Sequence, residues 1–166
     1  MDISKKVLVL PNICGVEIDI TGQATPSLGT SLQPFYNSYV QNSTTKQAYF
    51  TPSKVKLTET GKTTAAGILY TQKLEFKFPS NDPLRAMRIK DYCKVKYIYI
   101  KMSNGLVFFF GRNDIYQNSS PKISIVSTNK TTTITYTTHS IFTLGFTNGS
   151  FDFELSEEFP INFYNL

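Results

Sequence analysis

His139 is the only histidine in the chain. It ends a Thr-rich stretch with no Ser or Cys nucleophile motif nearby, which predicts a strand histidine rather than a general base. The carboxylates are few and dispersed. Glu157 and Glu158 are adjacent, but neighbours on a strand point to opposite faces. Asp82 reads as a helix cap, Asp91 falls near the end of that helix, and Asp114 follows Arg112 in a polar loop. None of these makes an acid–base pair of the kind hydrolysis needs. Gly61-Lys62-Thr63 lacks the earlier glycine and loop of a phosphate-cradling P-loop. Cys14 and Cys93 sit far apart with no CxxC or Cys/His spacing, so no metal site is expected. Both cysteines read as buried reduced thiols, and nothing supports a disulfide between them. The chain therefore predicts no catalytic residue, no cofactor and no enzyme.

Binding surfaces are the next chemistry to weigh. Tyr97-Ile98-Tyr99 and Phe108-Phe109-Phe110 have the aromatic character of a base-stacking platform. Their flanks lack a specific RNA-binding motif, so core packing is the better account. Tyr116 with Asn113, Asp114 and Asn118 is the one local cluster suited to a sugar, since it offers a ring to stack on and amide and carboxylate partners for hydroxyls. The formal net charge is +5. The basic residues alternate with apolar ones along strands, which favours a solvated sheet face over a phosphate-binding face. Asn42, Asn118, Asn129 and Asn148 each open an Asn-x-Ser/Thr triplet. These read as chance products of an Asn-, Ser- and Thr-rich composition, because Pro11, Glu17 and Asp19 follow Val7-Leu8-Val9-Leu10 too soon for a signal sequence. No apolar run spans a bilayer, so no membrane partner is expected and folding in a cytosol is.

The elements that must position these residues read mainly as β. There are 13 Phe, 10 Tyr and no Trp, with abundant Thr, Ile and Val. Two short strands are predicted over Lys5–Leu10 and Ile13–Ile20, the second with Cys14, Val16, Ile18 and Ile20 on one face. Tyr49–Leu57 and Gly67–Phe78 read as a strand pair joined by a polar turn region. Ser80-Asn81-Asp82-Pro83 starts a short helix running to about Tyr92, with Asp82 as cap. Ala86, Ile89 and Cys93 should face the sheet, Leu84 and Met87 should flank them, and Arg85, Arg88 and Lys90 should lie outside. Lys94–Met102 and Leu106–Phe110 form a hairpin about Asn104-Gly105. A second hairpin joins Lys122–Thr128 to Thr131–Thr138, and Ile141–Thr147 and Phe151–Leu155 flank Asn148-Gly149. The total is eight to ten strands and one helix. The fold class is mainly β, one domain over residues 1–166: an antiparallel β-sandwich or curved barrel with one short α-helix packed on it.

Two segments fall outside that scheme. Residues 21–47 are aperiodic and poor in charge, yet carry Phe35, Tyr36, Tyr39 and Val40. They read either as an arm docking on a neighbouring subunit or as aromatics folding onto their own core. Residues 157–166 form an apolar tail with Phe159, Ile161, Phe163 and Tyr164, expected to dock on this subunit or another.

The order Leu74–Phe78, Asp82–Tyr92, Lys94–Gly111 and Ile123–Phe146, and above all the run from Tyr97 to Gly111, resembles phage virion proteins with the tail-tube-like fold. The similarity is greatest to small tail or neck-ring proteins of Bacteroidetes-infecting, crAss-like phages. It implies a structural virion protein, made in the host cytoplasm, that forms a ring, six- or twelve-fold, around a DNA channel. Its partners would be copies of itself and other tail, neck or portal proteins, with DNA passing nearby. A basic chain departs from the often acidic lining of tail tubes and suits a head-to-tail ring equally well. The alternative left by the residues themselves is a carbohydrate-binding or adhesin-like β-sandwich module.

Overall fold

The computed structural model describes residues 11–21, 27–28, 35–38 and 45–147. Its strands are β1 (Ile13–Asp19), β2 (Ser27–Leu28), β3 (Phe35–Ser38), β4 (Thr45–Gln47), β5 (Lys56–Thr64), β6 (Gly67–Pro79), β7 (Tyr97–Met102), β8 (Val107–Phe110), β9 (Lys122–Ser127), β10 (Thr131–Ser140) and β11 (Gly145–Thr147). One helix, α1 (Arg85–Tyr92), joins β6 to β7. The strands make two sheets, in the orders β2-β3-β11-β8-β7-β1-β4 and β5-β6-β10-β9. Neighbours are antiparallel except β3 and β11. The chain is thus a β-sandwich with one short helix.

The sandwich closes because β6 and β10 alternate cleanly. Leu74, Phe76 and Phe78 on β6 and Ile134 and Tyr136 on β10 turn inward and are buried. They meet Val16, Ile18, Ile98, Ile100 and Phe110 from the larger sheet in one core. Tyr97, Tyr99, Val107 and Phe109 on the opposite face of β7 and β8 are buried too. Both faces of this ribbon are therefore covered, which is why it reads as unbroken apolar runs rather than as alternation. Tyr99 and Phe109 pack with ring centroids 5.4 Å apart. Base stacking is thereby denied to these rings, and core packing is their role.

Several expectations are corrected. Cys14 and Cys93 are exposed free thiols. In β1 the pairing with β7 slips between Ile13 and Gly15. This bulge puts Ile13 against the core and turns Cys14 out, while Val16 and Ile18 keep the inward face. Helix α1 is rotated from the expected face: Ala86 and Cys93 are exposed, Ile89 packs on the core and Tyr92 is buried. The Tyr92 hydroxyl accepts from the Tyr49 N–H at 3.0 Å and donates to the Tyr49 carbonyl at 2.9 Å, which draws that side of the helix inward. Arg85 and Arg88 are then half-buried and partnered rather than outside. Arg85 reaches Thr132 and Ser127, and Arg88 pairs with Asp82 at 2.5 Å and lies over the Tyr49 ring.

Residues 49–55 are not strand but a loop with a 3-10 turn at Pro52–Lys54. The strand starts at Lys56 and runs through the expected turn to Thr64. The segment 21–47 is not uniform coil, since β2, β3 and β4 lie in it and pair within the larger sheet. In the first hairpin only Gly105 has a positive φ, +83°. Gly105 N–H bonds to Met102 C=O and Met102 N–H to Leu106 C=O, so the loop has three residues, Ser103, Asn104 and Gly105. The predicted strand over residues 5–10 and that over 151–155 lie outside the described residues.

Candidate functional site

Of the residues expected to mediate assembly, Phe35 and Tyr36 lie on β3, whose backbone pairs with Phe146 and Thr147 of β11. Tyr39, Val40, Phe159, Ile161, Phe163 and Tyr164 lie outside the described residues.

The candidate sugar cluster is brought together, in the loop between β8 and β9. Tyr116 N–H and Asn118 N–H both bond to the Asn113 carbonyl, and Gln117 and Asn118 adopt left-handed φ of 54° and 53°. The cluster is consumed by its own fold. Asn113 is 3 % exposed. Its Oδ1 accepts from the His139 N–H at 3.0 Å, its Nδ2 donates to Ser119, and its N–H donates to Asn118 Oδ1. Asp114 takes Arg112 Nε on both carboxylate oxygens at 2.7 and 2.8 Å, then Ser140 Oγ at 2.6 Å and the Ile141 N–H. Asn118 Nδ2 donates to the Tyr97 hydroxyl, and its carbonyl accepts from Lys96 Nζ. Only the exposed Tyr116 ring faces outward, 5.7 Å from His139. Such a set pins the β8–β9 loop to β10 and gives the side chains of Asn113, Asp114 and Asn118 partners within the protein.

The titratable groups here have structural causes. Burial lowers the Lys96 pKa. The Tyr97 hydroxyl is raised, chiefly by burial and further by Asp19, against the hydrogen bond from Asn118. Burial, with Tyr92 and Cys93 adding to it, pushes the Tyr136 hydroxyl far up, and this hydroxyl donates to the Tyr92 carbonyl at 2.8 Å. His139 Nδ1 lies 3.1 Å from Thr71 Oγ1, and its ring lies 5.7 Å from that of Tyr116. Among the described residues no group of three or more His, Cys, Asp or Glu is placed to hold a metal. No helix of the described residues is long and apolar enough to cross a membrane. A cleft of about 700 Å³ is lined by Pro11, Asn12, Ile13, Val55, Met102 and Phe108 among others, none of them titratable.

Two features of the smaller sheet were not anticipated. First, β10 pairs with β6 only as far as Ser140 opposite Tyr70, whereas β5 follows β6 on to Thr64 opposite Gly67. The rungs beyond form a two-stranded arm whose residues 61–68 are all exposed, Ile68 by 50 %. Thr58, Thr60, Thr63 and Thr64 were the available signal, since β-branched residues favour strands. Second, β5 and β9 are open edges of this sheet among the described residues.

Comparison with family models, with curated proteins and with solved structures finds no match for this chain.

Proposed function

We propose that the protein is a non-enzymatic structural component of a virion, forming a closed ring in a phage tail or head-to-tail neck around the DNA channel. The observation that carries this reading is the β5–β6 arm. An isolated two-stranded ribbon is marginal in water, because it has no second layer to bury a face against. An arm with both faces exposed gains its stability from a surface outside its own sandwich. An adjacent copy offers such a surface, and head-to-tail contacts of this kind close into rings when the rotation per copy allows. The open edges β5 and β9 add unpaired backbone groups for the same purpose. The expected ring is six- or twelve-fold, stacked on other tail, neck or portal proteins.

The test replaces residues 61–70 by a two-residue Asn-Gly turn between Thr60 and Thr71. The sandwich should still fold, because the excised arm lies almost wholly outside the core, and ring formation should be lost. Rings that persist in the shortened protein refute the arm as the assembly contact. A wild-type monomer at high concentration that binds one glycan specifically refutes the ring itself.

A further inference from the structure

The outward face of the smaller sheet is basic and carries little else. Alternation puts Lys56, Thr58, Thr60 and Lys62 of β5 on this face. Thr71, Lys73, Glu75 and Lys77 of β6 join them, with Thr133, Thr135, Thr137 and His139 of β10 and Lys122, Ser124 and Val126 of β9. Register fixes the rows: Lys56, Glu75, Thr135 and Ser124 lie side by side, and Thr58, Lys73, Thr137 and Lys122 form the next row. Glu75 is the one acid, and it is paired with Lys77 at 3.6 Å. Lys56, Lys62, Lys73 and Lys122 are exposed and have no ion-pair partner among the described residues.

We infer that this face docks the phosphate backbone of duplex DNA without reading its sequence. It deepens the ring reading by naming the surface that meets DNA in the channel, and it rests on that reading only for where the DNA lies. Three arguments select the occupant. Lysine ammoniums and threonine hydroxyls are all donors to phosphate oxygens, the contact that positions a protein on DNA without specifying bases. None of the strand residues on this face is Phe or Tyr, and the lone exposed ring of Tyr116, 5.7 Å from His139 at one end, is too little for a base-stacking platform or for the aromatic anchors of a protein interface. Among the described strand residues Leu69 and Val126 are the apolar side chains on the face, too few for insertion into a lipid surface. The size fits as well. From Lys56 to Lys62, six strand rises of β5 span about 20 Å, along which duplex DNA presents about 12 phosphate charges.

The experiment is a fluorescence anisotropy titration of labelled 20-base-pair duplexes of two unrelated sequences, from 50 to 200 mM salt. Four phosphate contacts give a log–log slope of about −3.6, so affinity should fall on the order of 150-fold over that range, equally for both sequences. The double variant Lys73→Gln and Lys122→Gln alters only exposed side chains and should halve the slope, leaving about a 12-fold fall. The control Lys90→Gln and Lys94→Gln removes the same charge from exposed positions on and just after α1 and should keep the wild-type slope. No binding at 50 mM salt, or equal slopes for the two double variants, overturns the inference. So does tighter binding to phosphatidylserine vesicles than to DNA. Particle mass measured on the same samples separates the two readings. A monomer that binds DNA through this face keeps the inference and removes the ring, and a ring indifferent to DNA does the reverse.

Discussion

Gly105 and Gly111 sit at the two ends of β8, and both have positive φ, +83° and +125°. Replacing each by alanine should have unequal consequences. At Gly105 the added methyl meets nothing within 4 Å. Its cost is the left-handed backbone alone, about 1–2 kcal/mol. At Gly111 the methyl would lie 2.5 Å from the Lys96 carbonyl oxygen and 3.1 Å from Tyr97 Cα. That backbone cannot yield cheaply, because the Lys96 N–H is bonded to the Asp19 carbonyl at 2.9 Å and Tyr97 begins a buried strand. Backbone strain of about 1–3 kcal/mol adds to overpacking of about 1–3 kcal/mol, so the loss is about 4 kcal/mol. For a chain of this size each kcal/mol moves the melting temperature by about 2–4 °C. Thermal unfolding followed by circular dichroism should show a drop of about 8–16 °C for Gly111→Ala and of about 2–8 °C for Gly105→Ala. Equal drops, or a Gly111→Ala drop below about 3 °C, would refute the close approach of residues 96 and 111 on which the β7–β8 packing rests.

Other expectations concern the loop network, the helix start and the tail. Asn113→Ala leaves the His139 N–H without its acceptor and should cost about 2–3 kcal/mol in urea unfolding, against a negligible change for Gln117→Ala at an exposed position. Burial opposes the charge on Asp82, but the Leu84 N–H and Arg88 outweigh it and hold the carboxyl below its ordinary 3.8. Because the folded value is the lower one, this contribution is present above the ordinary value and is lost as pH falls through the folded value. The melting-temperature gap between wild type and Asp82→Asn should therefore close on acidification and stay constant above about pH 5. Truncation after Ser156 removes Phe159, Ile161, Phe163 and Tyr164. Light scattering should then show assembly weakened with little change in melting temperature, and an unchanged assembly would exclude the tail as a contact.

The sandwich was legible where alternation was strict. Lys73 to Phe78 and Thr131 to Thr138 announce a half-buried face, and the structure seats them side by side in the smaller sheet. What escaped was set by tertiary partners. The inward side of α1 follows from the Tyr92 hydroxyl gripping the Tyr49 backbone, a bond between residues 43 apart in sequence that no helical period reports. The bulge before Gly15 reverses Cys14 by one residue, and a lone irregular rung leaves no trace in composition. The polar cluster at 113–118 is brought together in one loop, where Asn113, Asp114 and Asn118 bond to neighbouring groups of the protein. Whether an Asn or Asp points to a ligand or caps its own loop depends on neighbours such as Ser140 and His139, which arrive from another strand. The lysines of the smaller sheet were visible as alternation, and only the register shows four of them exposed on one face, each without an ion-pair partner among the described residues.

The central claim is that this chain is a ring-forming structural subunit whose β5–β6 arm engages a neighbour. The most direct measurement is the particle mass and image of the purified full chain, beside the variant lacking residues 61–70. The account predicts closed rings of six or twelve copies for the full chain and monomers for the armless variant. A full chain that stays monomeric across the concentration range, or rings of the same size from both proteins, would contradict it.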